Sequence, residues 1–375
     1  MRKKKGNIDY ILLIVSIVLF AIGIVTLLSA SAPESLKETG NSYVYFKKQL
    51  LFTTIGVVCA LVISIIDYRL FKNIKLLMFG YLAMLAIAIS VRFFGISEGG
   101  AARWIQIGGF SLQPSEFIKI GMIIVMAGYL ANLEEKNQLK NPTKGVLIPL
   151  GLITVMSGSI FVFQNHLSAA ILIFATGLIQ MIIAGVNFKT LFTYGIIGTA
   201  LSSLIIFKKL QSGTGGFRQA RLQVWLKPFE YIKTTGWQTA QGLYALASGG
   251  ILGVGLGNSK QKNSYIPEPQ NDFIFAIFSE EVGFIGVVIV IILFLILISR
   301  GLLIANNVKN LFGKLIAVGI TSILALQIIG NLAVVSNTIP VTGISLPLFS
   351  YGGSSIISVL ILLGLLLNIS KHAND

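Results

Sequence analysis

The sequence predicts an all-α integral membrane protein, a single polytopic domain over 1–375 with about ten transmembrane helices. Only 11% of its residues are charged, whereas 54% are hydrophobic, and the mean hydropathy is +0.83. A soluble domain would carry about 25% charged residues. Apolar runs long enough to cross the roughly 30 Å hydrocarbon core recur along the chain. Composition therefore excludes a soluble globular fold.

The first apolar run, 8–30, resembles the core of a secretory signal peptide, because basic residues 2–5 precede it and an Ala-Ser-Ala motif at 30–32 mimics a cleavage site. The run exceeds the roughly 7–15 residues of such a core and suits a spanning helix. Pro33 directly after the motif also argues against cleavage. We therefore predict a retained membrane helix.

Nine further apolar runs bring the predicted number of helices to about ten. An even number of spans places both termini on one side of the membrane, and basic residues 2–5 place that side in the cytoplasm. The longest loop, 208–271, then lies outside, between helices 7 and 8. The nine runs cover residues 50–66, 74–94, 115–132, 146–163, 167–186, 188–207, 273–298, 311–335 and 352–369.

This predicted external loop is basic, and the chain has a formal net charge of +15. Arg218 and Arg221 stand one helical turn apart, where they could bind phosphate oxygens or anionic lipid headgroups. The segment 237–252 is apolar enough for a helix in the membrane interface, and the glycine-rich run after it predicts a flexible turn or a phosphate cradle. The basic residues are Lys208, Lys209, Arg218, Arg221, Lys227, Lys233, Lys260 and Lys262.

The stretch 263–286 joins a polar loop to an apolar segment that contains Glu280 and Glu281. Ionisable groups are costly in hydrocarbon, so both are candidate functional residues. Asp272 lies at the predicted outer membrane surface, and Glu280 follows on the same helical face about 12 Å deeper. Asp272 either caps the helix or acts as a general base on a sugar hydroxyl, and Asn271 could supply the cap instead.

Polar residues near the outer end of the fourth helix are further candidates. Arg103 and Trp104 could position a headgroup, although Trp at an interface also serves as a simple anchor. Glu116 and Lys119 stand three residues apart and form either a substrate contact or an internal ion pair. His166 has no Cys or second His nearby, so no metal site is predicted there.

Five stretches together resemble the SEDS family (shape, elongation, division and sporulation), which includes the FtsW, RodA and SpoVE proteins. They follow the family's order, cover essentially the whole chain, and favour the division and sporulation branch. The stretches are GAARWIQIGGFSLQPSEFIKI at 100–120, RQARLQVWLKPF at 218–229, GWQTAQGLYALASGGILGVGLGNS at 236–259, IPEPQNDFIFAIFSEEVGFIG at 266–286 and TGISLPLFSYGGSS at 342–355.

The resemblance implies a peptidoglycan glycosyltransferase, a hexosyltransferase that polymerises lipid II at the outer face of the bacterial cytoplasmic membrane during division, elongation or sporulation. It implies that Asp272 is catalytic. The implied partners are lipid II, membrane lipids and a class B penicillin-binding protein transpeptidase, with no nucleic acid. No cofactor is certain, but Mg²⁺ or Mn²⁺ could assist at the pyrophosphate. The candidate substrate-binding residues are Arg103, Trp104, Glu116, Lys119, Arg218, Arg221, Lys260, Glu280 and Ser350.

The chain departs from the family pattern at two places. Asn165 and His166 follow Gln164 where the family often has Pro-Asp, so a role for an acid there is not carried over. Ala102 stands where many members have a basic residue, which lowers the charge near Trp104.

Two other functions also fit the sequence. A lipid flippase or transporter would use Glu280, Glu281 and Lys119 as an internal relay. A scaffold without catalysis would recruit the transpeptidase through its helix surfaces. Transport would depend on the buried groups, whereas polymerisation would depend on Asp272.

Overall fold

The computed structural model describes residues 8–98, 101–108, 110–196, 216–263 and 265–372. Nine helices in this part, all except α7, α8 and α9, are long and apolar enough to cross a membrane. The helices are α1 (Tyr10–Thr39), α2 (Val44–Ile65), α3 (Ile74–Phe94), α4 (Pro114–Glu135), α5 (Ile148–Gln164), α6 (Leu167–Ala184), α7 (188–196 within the described residues), α8 (Gly216–Leu226), α9 (Trp237–Ser248), α10 (Ile274–Asn307), α11 (Leu311–Val335) and α12 (Gly353–Lys371).

The predicted all-α membrane class is confirmed, and most predicted spans lie within a few residues of the observed helices. The predicted seventh span, 188–207, extends outside the described residues, so the count of ten and the cytoplasmic termini stay predictions. The first helix is longer than predicted and ends at Thr39, with Pro33 inside it. Hydropathy could not reveal its last turns, because they are polar. Gly40 ends the helix in a left-handed conformation, φ 72°, and donates to Leu36 O.

The centre of the bundle is formed by α4, α11 and α12, whose surfaces are mostly buried, whereas α2 and α3 expose apolar side chains. Lipid tails are as apolar as the helices, so association depends on close backbone approach through small residues. The contact of α2 with α12 shows this. A Cβ added at Gly364 would lie 2.7 Å from Ala60 O, and one at Gly56 would lie 3.2 Å from Ile357 Cα.

Three short strands form an antiparallel sheet between α3 and α4. They are β1 (Ile96–Glu98), β2 (Ala101–Ile107) and β3 (Phe110–Leu112), in the order β1-β2-β3. A 3₁₀ helix (Tyr68–Lys72) precedes α3, and a π-helical turn (Pro142–Leu147) precedes α5. The sheet matters for function because β2 carries Arg103 and Trp104.

The helix α10 is broken at Gly283, where φ is 69° and ψ is −173°. Residues 249–255, here called the glycine strap, lie against this break. Val254 N donates to Glu280 O at 3.0 Å, and Phe284 N donates to Gly250 O at 2.9 Å. Two more bonds join Gly255 N to Glu281 O and Ile285 N to Ile251 O. The strap therefore satisfies backbone groups that the break would otherwise leave unpaired in an apolar surrounding.

Glycine is required in the strap because two backbones meet there. A Cβ at Gly253 would lie 2.2 Å from Glu281 O, and one at Gly283 would lie 2.2 Å from Gly253 N. The prediction of a flexible turn at this run is wrong, since the segment is packed against α10. A phosphate cradle is also not supported, because the N–H groups of Val254 and Gly255 bind helix carbonyls.

Candidate active site at the start of α10

Asp272 lies in the turn that leads into α10, and later parts of the chain fix its backbone. Asn331 of α11, fully buried, donates from Nδ2 to Asp272 O at 2.8 Å and to Ile344 O at 2.7 Å. Tyr351 N donates to Gln270 O at 2.8 Å. The turn is therefore held by α11 and by the loop before α12, which leaves the Asp272 side chain available.

The helix cap predicted as the alternative role of Asp272 is not formed. Phe273 occupies the cap position of α10, with no side-chain cap bond. Asn271 donates instead to Glu268 Oε2 at 2.6 Å. Neither polar residue is used to cap the helix, so the carboxylate of Asp272 needs another explanation.

The surroundings of Asp272 shift its protonation. The residue keeps a partly exposed surface within a densely packed region. Burial raises the pKa of Asp272 to about 6, although a hydrogen bond from its own backbone N–H opposes the rise; the charge of Glu268 adds to it, and the Arg221 guanidinium opposes it. A carboxyl group with a pKa near neutrality is suited to accept a proton and pass it on.

Two arginines from distant parts of the chain form a cationic side to this site. Arg221 of α8 donates to Val341 O at 3.0 Å, and Arg103 of β2 donates to Asn165 O at 3.2 Å. Burial lowers the pKa of both, and the charge of Arg221 lowers that of Arg103 further. Arg103 Nε is buried without a hydrogen-bond partner among the described residues. Like charges held together in this way are typical of a site for a polyanion such as pyrophosphate.

His166 stands beside this cationic side as a neutral ring. Its Nδ1 lies 3.2 Å from Ser115 Oγ and 3.3 Å from Gln113 Nε2. Burial lowers the pKa of His166 to about 3, and the charges of Arg103 and Lys119 act in the same direction. Where the family often has an acid, this chain therefore adds no charge.

Glu116 and Lys119 form the internal ion pair that was one of their two interpretations. The Lys119 Nζ to Glu116 Oε1 distance is 2.7 Å, and both side chains are buried. Ser358 of α12 donates to Glu116 Oε2 at 2.9 Å. The pair joins α4 to α12 inside the bundle, and a direct contact with substrate remains an untested prediction.

Glu280 anchors the end of the long loop that precedes α10. Its carboxylate accepts hydrogen bonds from Ser248 Oγ and Lys260 N, both at 3.2 Å, and also from Ser259 Oγ and Gln261 N. The geometry therefore gives Glu280 a structural role and offers no support for the predicted substrate contact. The Lys260 side chain is exposed on the same loop.

The other predicted substrate contacts have different surroundings. Ser350 is buried and accepts a hydrogen bond from Leu346 N at 2.8 Å, so it holds the loop before α12. Trp104 is partly buried next to Arg103 on β2. The Arg218 side chain lies outside the described part of the structure.

Sequence reasoning missed the partner of Glu281. Lys262 Nζ lies 3.0 Å from Glu281 Oε1, and Ser29 of α1 donates to the same oxygen at 2.5 Å. Lys262 also donates to Gly257 O at 2.6 Å. The carboxylate itself was the available signal, because a carboxylate in an apolar segment needs a cation. The sequence did not show which of the eight basic residues of the loop supplies that cation.

A divalent cation stays a prediction. No group of three or more His, Cys, Asp or Glu side chains among the described residues could hold a metal ion. Mg²⁺, however, is often bound by one or two carboxylates together with substrate phosphates. Asp272, which lies beside the Arg221 charge, could provide one such carboxylate.

Comparisons with known proteins agree over the full length. The FtsW, RodA and SpoVE family model, described as "Cell cycle protein", matches residues 9–375. The chain is 36% identical to stage V sporulation protein E of Bacillus subtilis over 374 residues, 100% of each chain. It is 34% identical to the probable peptidoglycan glycosyltransferase FtsW of Trichlorobacter lovleyi over 362 residues, 96% of this chain and 93% of the other.

Two solved structures share the fold. A chain of a peptidoglycan synthase complex that coordinates polymerization and crosslinking has a TM-score of 0.79 and 24% identity, covering 98% of each chain. The rod shape determining protein RodA of Thermus thermophilus has a TM-score of 0.67 and 23% identity, covering 97% of each chain.

Proposed function

The chain belongs to the FtsW, RodA and SpoVE family, and from this premise we propose that it polymerises lipid II at the outer face of a bacterial cytoplasmic membrane. It is a multi-pass membrane protein and a peptidoglycan glycosyltransferase. The observation that carries the proposal is Asp272, a carboxyl group with a raised pKa facing the charge of Arg221. A base and an anion site side by side suit glycosyl transfer from a pyrophosphate.

The proposed reaction uses these groups in one displacement. The Asp272 carboxylate takes the proton of an acceptor sugar hydroxyl, whose oxygen bonds to the anomeric carbon of the donor. The bond from that carbon to the pyrophosphate breaks, and the polyprenyl pyrophosphate leaves with the electron pair. The transition state resembles an oxocarbenium ion. Arg221 and Arg103 stabilise the negative charge that develops on the leaving group.

The proposed partner is a class B penicillin-binding protein transpeptidase. The support is that a chain with this fold occurs in a peptidoglycan synthase complex that coordinates polymerization and crosslinking. A strand polymerised outside the membrane is then available to a crosslinking enzyme. Binding to a partner and catalysis at Asp272 are compatible roles.

The two alternative functions have less support. A relay would need Glu280, Glu281 and Lys119 to exchange partners with a transported group. Each of the three is instead engaged in internal ion pairs or hydrogen bonds. A scaffold without catalysis would leave the raised pKa of Asp272 and the arginines beside it without a role.

The proposal is tested with the purified protein, fluorescently labelled lipid II and the cognate transpeptidase, with glycan strands resolved on a gel. We expect strands from the protein, and none from the transpeptidase alone. In a parallel arm, proteoliposomes report whether labelled lipid crosses the bilayer. Lipid crossing without any strand formation would replace the glycosyltransferase by a flippase.

We expect the polymerisation rate to fall as the pH is lowered through about 6. The base acts in its deprotonated form, and burial raises the pKa of Asp272 to about 6 from an ordinary 3.8. Initial rates measured across this range should follow the titration of one group. The unfolding temperature is recorded at each pH to exclude loss of fold. A fall that begins only near pH 3.8 would contradict the burial of this carboxyl group.

A further inference from the structure

A cavity of about 210 Å³ lies next to the candidate active site. It is bounded by α8, by the start of α9 and by the loop that follows α11. Ligand sites for drug-sized molecules span roughly 300–1,000 Å³, so this cavity suits one ring better than a whole disaccharide. Its lining consists of Arg221, Val224, Trp225, Thr235, Gln238, Thr239, Asn337 and Val341.

One wall of the cavity is rigid. Trp225 Nε1 donates to Asn337 O at 3.1 Å, and Asn337 Nδ2 donates back to Trp225 O at 3.2 Å. This reciprocal pair fixes the indole ring and uses up its N–H. The ring lines the cavity, where its apolar surface suits the C–H groups of a sugar.

Thr239 supplies a hydroxyl group that has no protein partner in the described residues. Its side chain is 3% exposed and lines the cavity. Its Oγ1 forms no hydrogen bond there and is not among the fully enclosed orphan atoms, so it opens to the cavity. A nearly buried hydroxyl without a partner is costly. Gln238, which makes one long 3.5 Å bond to Pro267 O, adds an amide oxygen.

Arg221 belongs both to the cavity and to the candidate active site. It lines the cavity, and its charge acts on Asp272. In the donor, the pyrophosphate that Arg221 would bind is joined to a sugar ring. The anomeric carbon of this ring carries the bond to the phosphate oxygen. The ring joined directly to that phosphate is therefore placed next to the cavity that Arg221 lines.

We propose that this cavity binds the pyranose ring that carries the pyrophosphate in the donor substrate, a subsite that rests on the glycosyltransferase function proposed above. The ring lies on the face of Trp225, and its hydroxyl groups bond to Thr239 and Gln238. The cavity thereby holds the anomeric carbon next to the acceptor hydroxyl that Asp272 deprotonates.

The test measures binding without turnover, in the Asp272→Asn background, by calorimetry on protein in nanodiscs. The probes are the disaccharide pyrophosphate without its polyprenyl tail, and inorganic pyrophosphate. Thr239→Val keeps the side-chain shape and removes the hydroxyl. We expect it to weaken binding of the disaccharide probe about five-fold, the effect of losing one hydrogen bond, and to leave inorganic pyrophosphate binding unchanged.

Two further variants make the result specific. Thr154→Val is the matched control, because Thr154 is exposed on α5 and its hydroxyl bonds to Leu150 O at 2.7 Å. It should bind both probes as the parent does. Gln238→Leu should weaken the disaccharide probe as Thr239→Val does, and it gives an independent result if valine disturbs α9.

The outcomes separate this subsite from the function it rests on. Equal affinity of Thr239→Val, Gln238→Leu and the parent for the disaccharide probe would overturn the subsite, even if the wild type polymerises lipid II. Weaker binding of inorganic pyrophosphate to the same degree would also overturn it, since the loss would then not concern the sugar. Selectively weaker binding of the disaccharide probe by the two variants, together with a wild type that forms no strands, would keep the subsite and reject polymerisation.

Discussion

Replacing Asp272 by Asn is expected to reduce lipid II polymerisation about 10²–10⁴-fold, the usual contribution of a positioned general base. An amide has nearly the size of the carboxyl group but does not take up the proton of a sugar hydroxyl. The backbone contacts of this turn are made by Asp272 O and Gln270 O. They do not involve the carboxylate, so the variant should fold and insert normally. Strand formation from labelled lipid II by the purified variant is the measurement.

Glu268→Gln is the matched control for this experiment. It also replaces an acid of the same turn by its amide, yet Glu268 acts on Asp272 only through its charge. We expect it to retain activity. The fall of its polymerisation rate at acid pH should begin at a lower pH than in the wild type, because the neighbouring negative charge that helps to raise the pKa of Asp272 is gone. Normal turnover by Asp272→Asn would reject Asp272 as the base.

Replacing Lys262 by Met is expected to lower the free energy of unfolding by about 3–5 kcal/mol, because it leaves the carboxylate of Glu281 buried without its cation. Both side chains of this pair are almost fully buried. The second oxygen of Glu281 has no partner among the described residues, so only the hydroxyl group of Ser29 would still bind this carboxylate. Unfolding of the detergent-solubilised protein by heat or denaturant is the measurement.

Two variants show whether burial is the cause. Lys227→Met removes a similar ion pair with Glu230, in which both side chains are exposed, and should change the free energy of unfolding far less, because water screens an exposed pair. The double variant Lys262→Met/Glu281→Gln removes the unpaired charge and should recover much of the loss. If Lys262→Met is no less stable than Lys227→Met, the buried pair does not hold this region together.

The spans and the position of Asp272 were predictable because their signals are local. The run 311–335 coincides with α11, since hydropathy over a window of that length is enough. Asp272 was noticed because an acid stands at the start of an apolar segment. Two features were missed. The turns of α1 beyond Pro33 are polar, so hydropathy does not reveal them. The break at Gly283 depends on contacts with the glycine strap, which a hydropathy window does not include.

The contacts that organise the site were not predictable, because each joins distant parts of the chain. Glu280 and Glu281 were interpreted as functional, since charge in an apolar segment requires an explanation. In the structure, Ser259 and the backbone of the loop before α10 donate hydrogen bonds to Glu280, and Lys262 pairs with Glu281. Both carboxylates therefore hold this loop against α10. The glycine strap gave only glycines as a signal, and glycines predict mobility as readily as close packing.

The glycine strap also sets the order in which the protein can be completed during synthesis. The ribosome makes the strap, Lys262 and Ser29 before α10, so the groups that bind its broken backbone and Glu281 are already translated when this helix is made. The turn of Asp272 differs, because Asn331 and Tyr351 are translated after it. The contacts between the glycine strap and α10 can therefore form early. The backbone around Asp272 is fixed only after Asn331 and Tyr351 have been translated, so a nascent chain that ends before them has no complete active site.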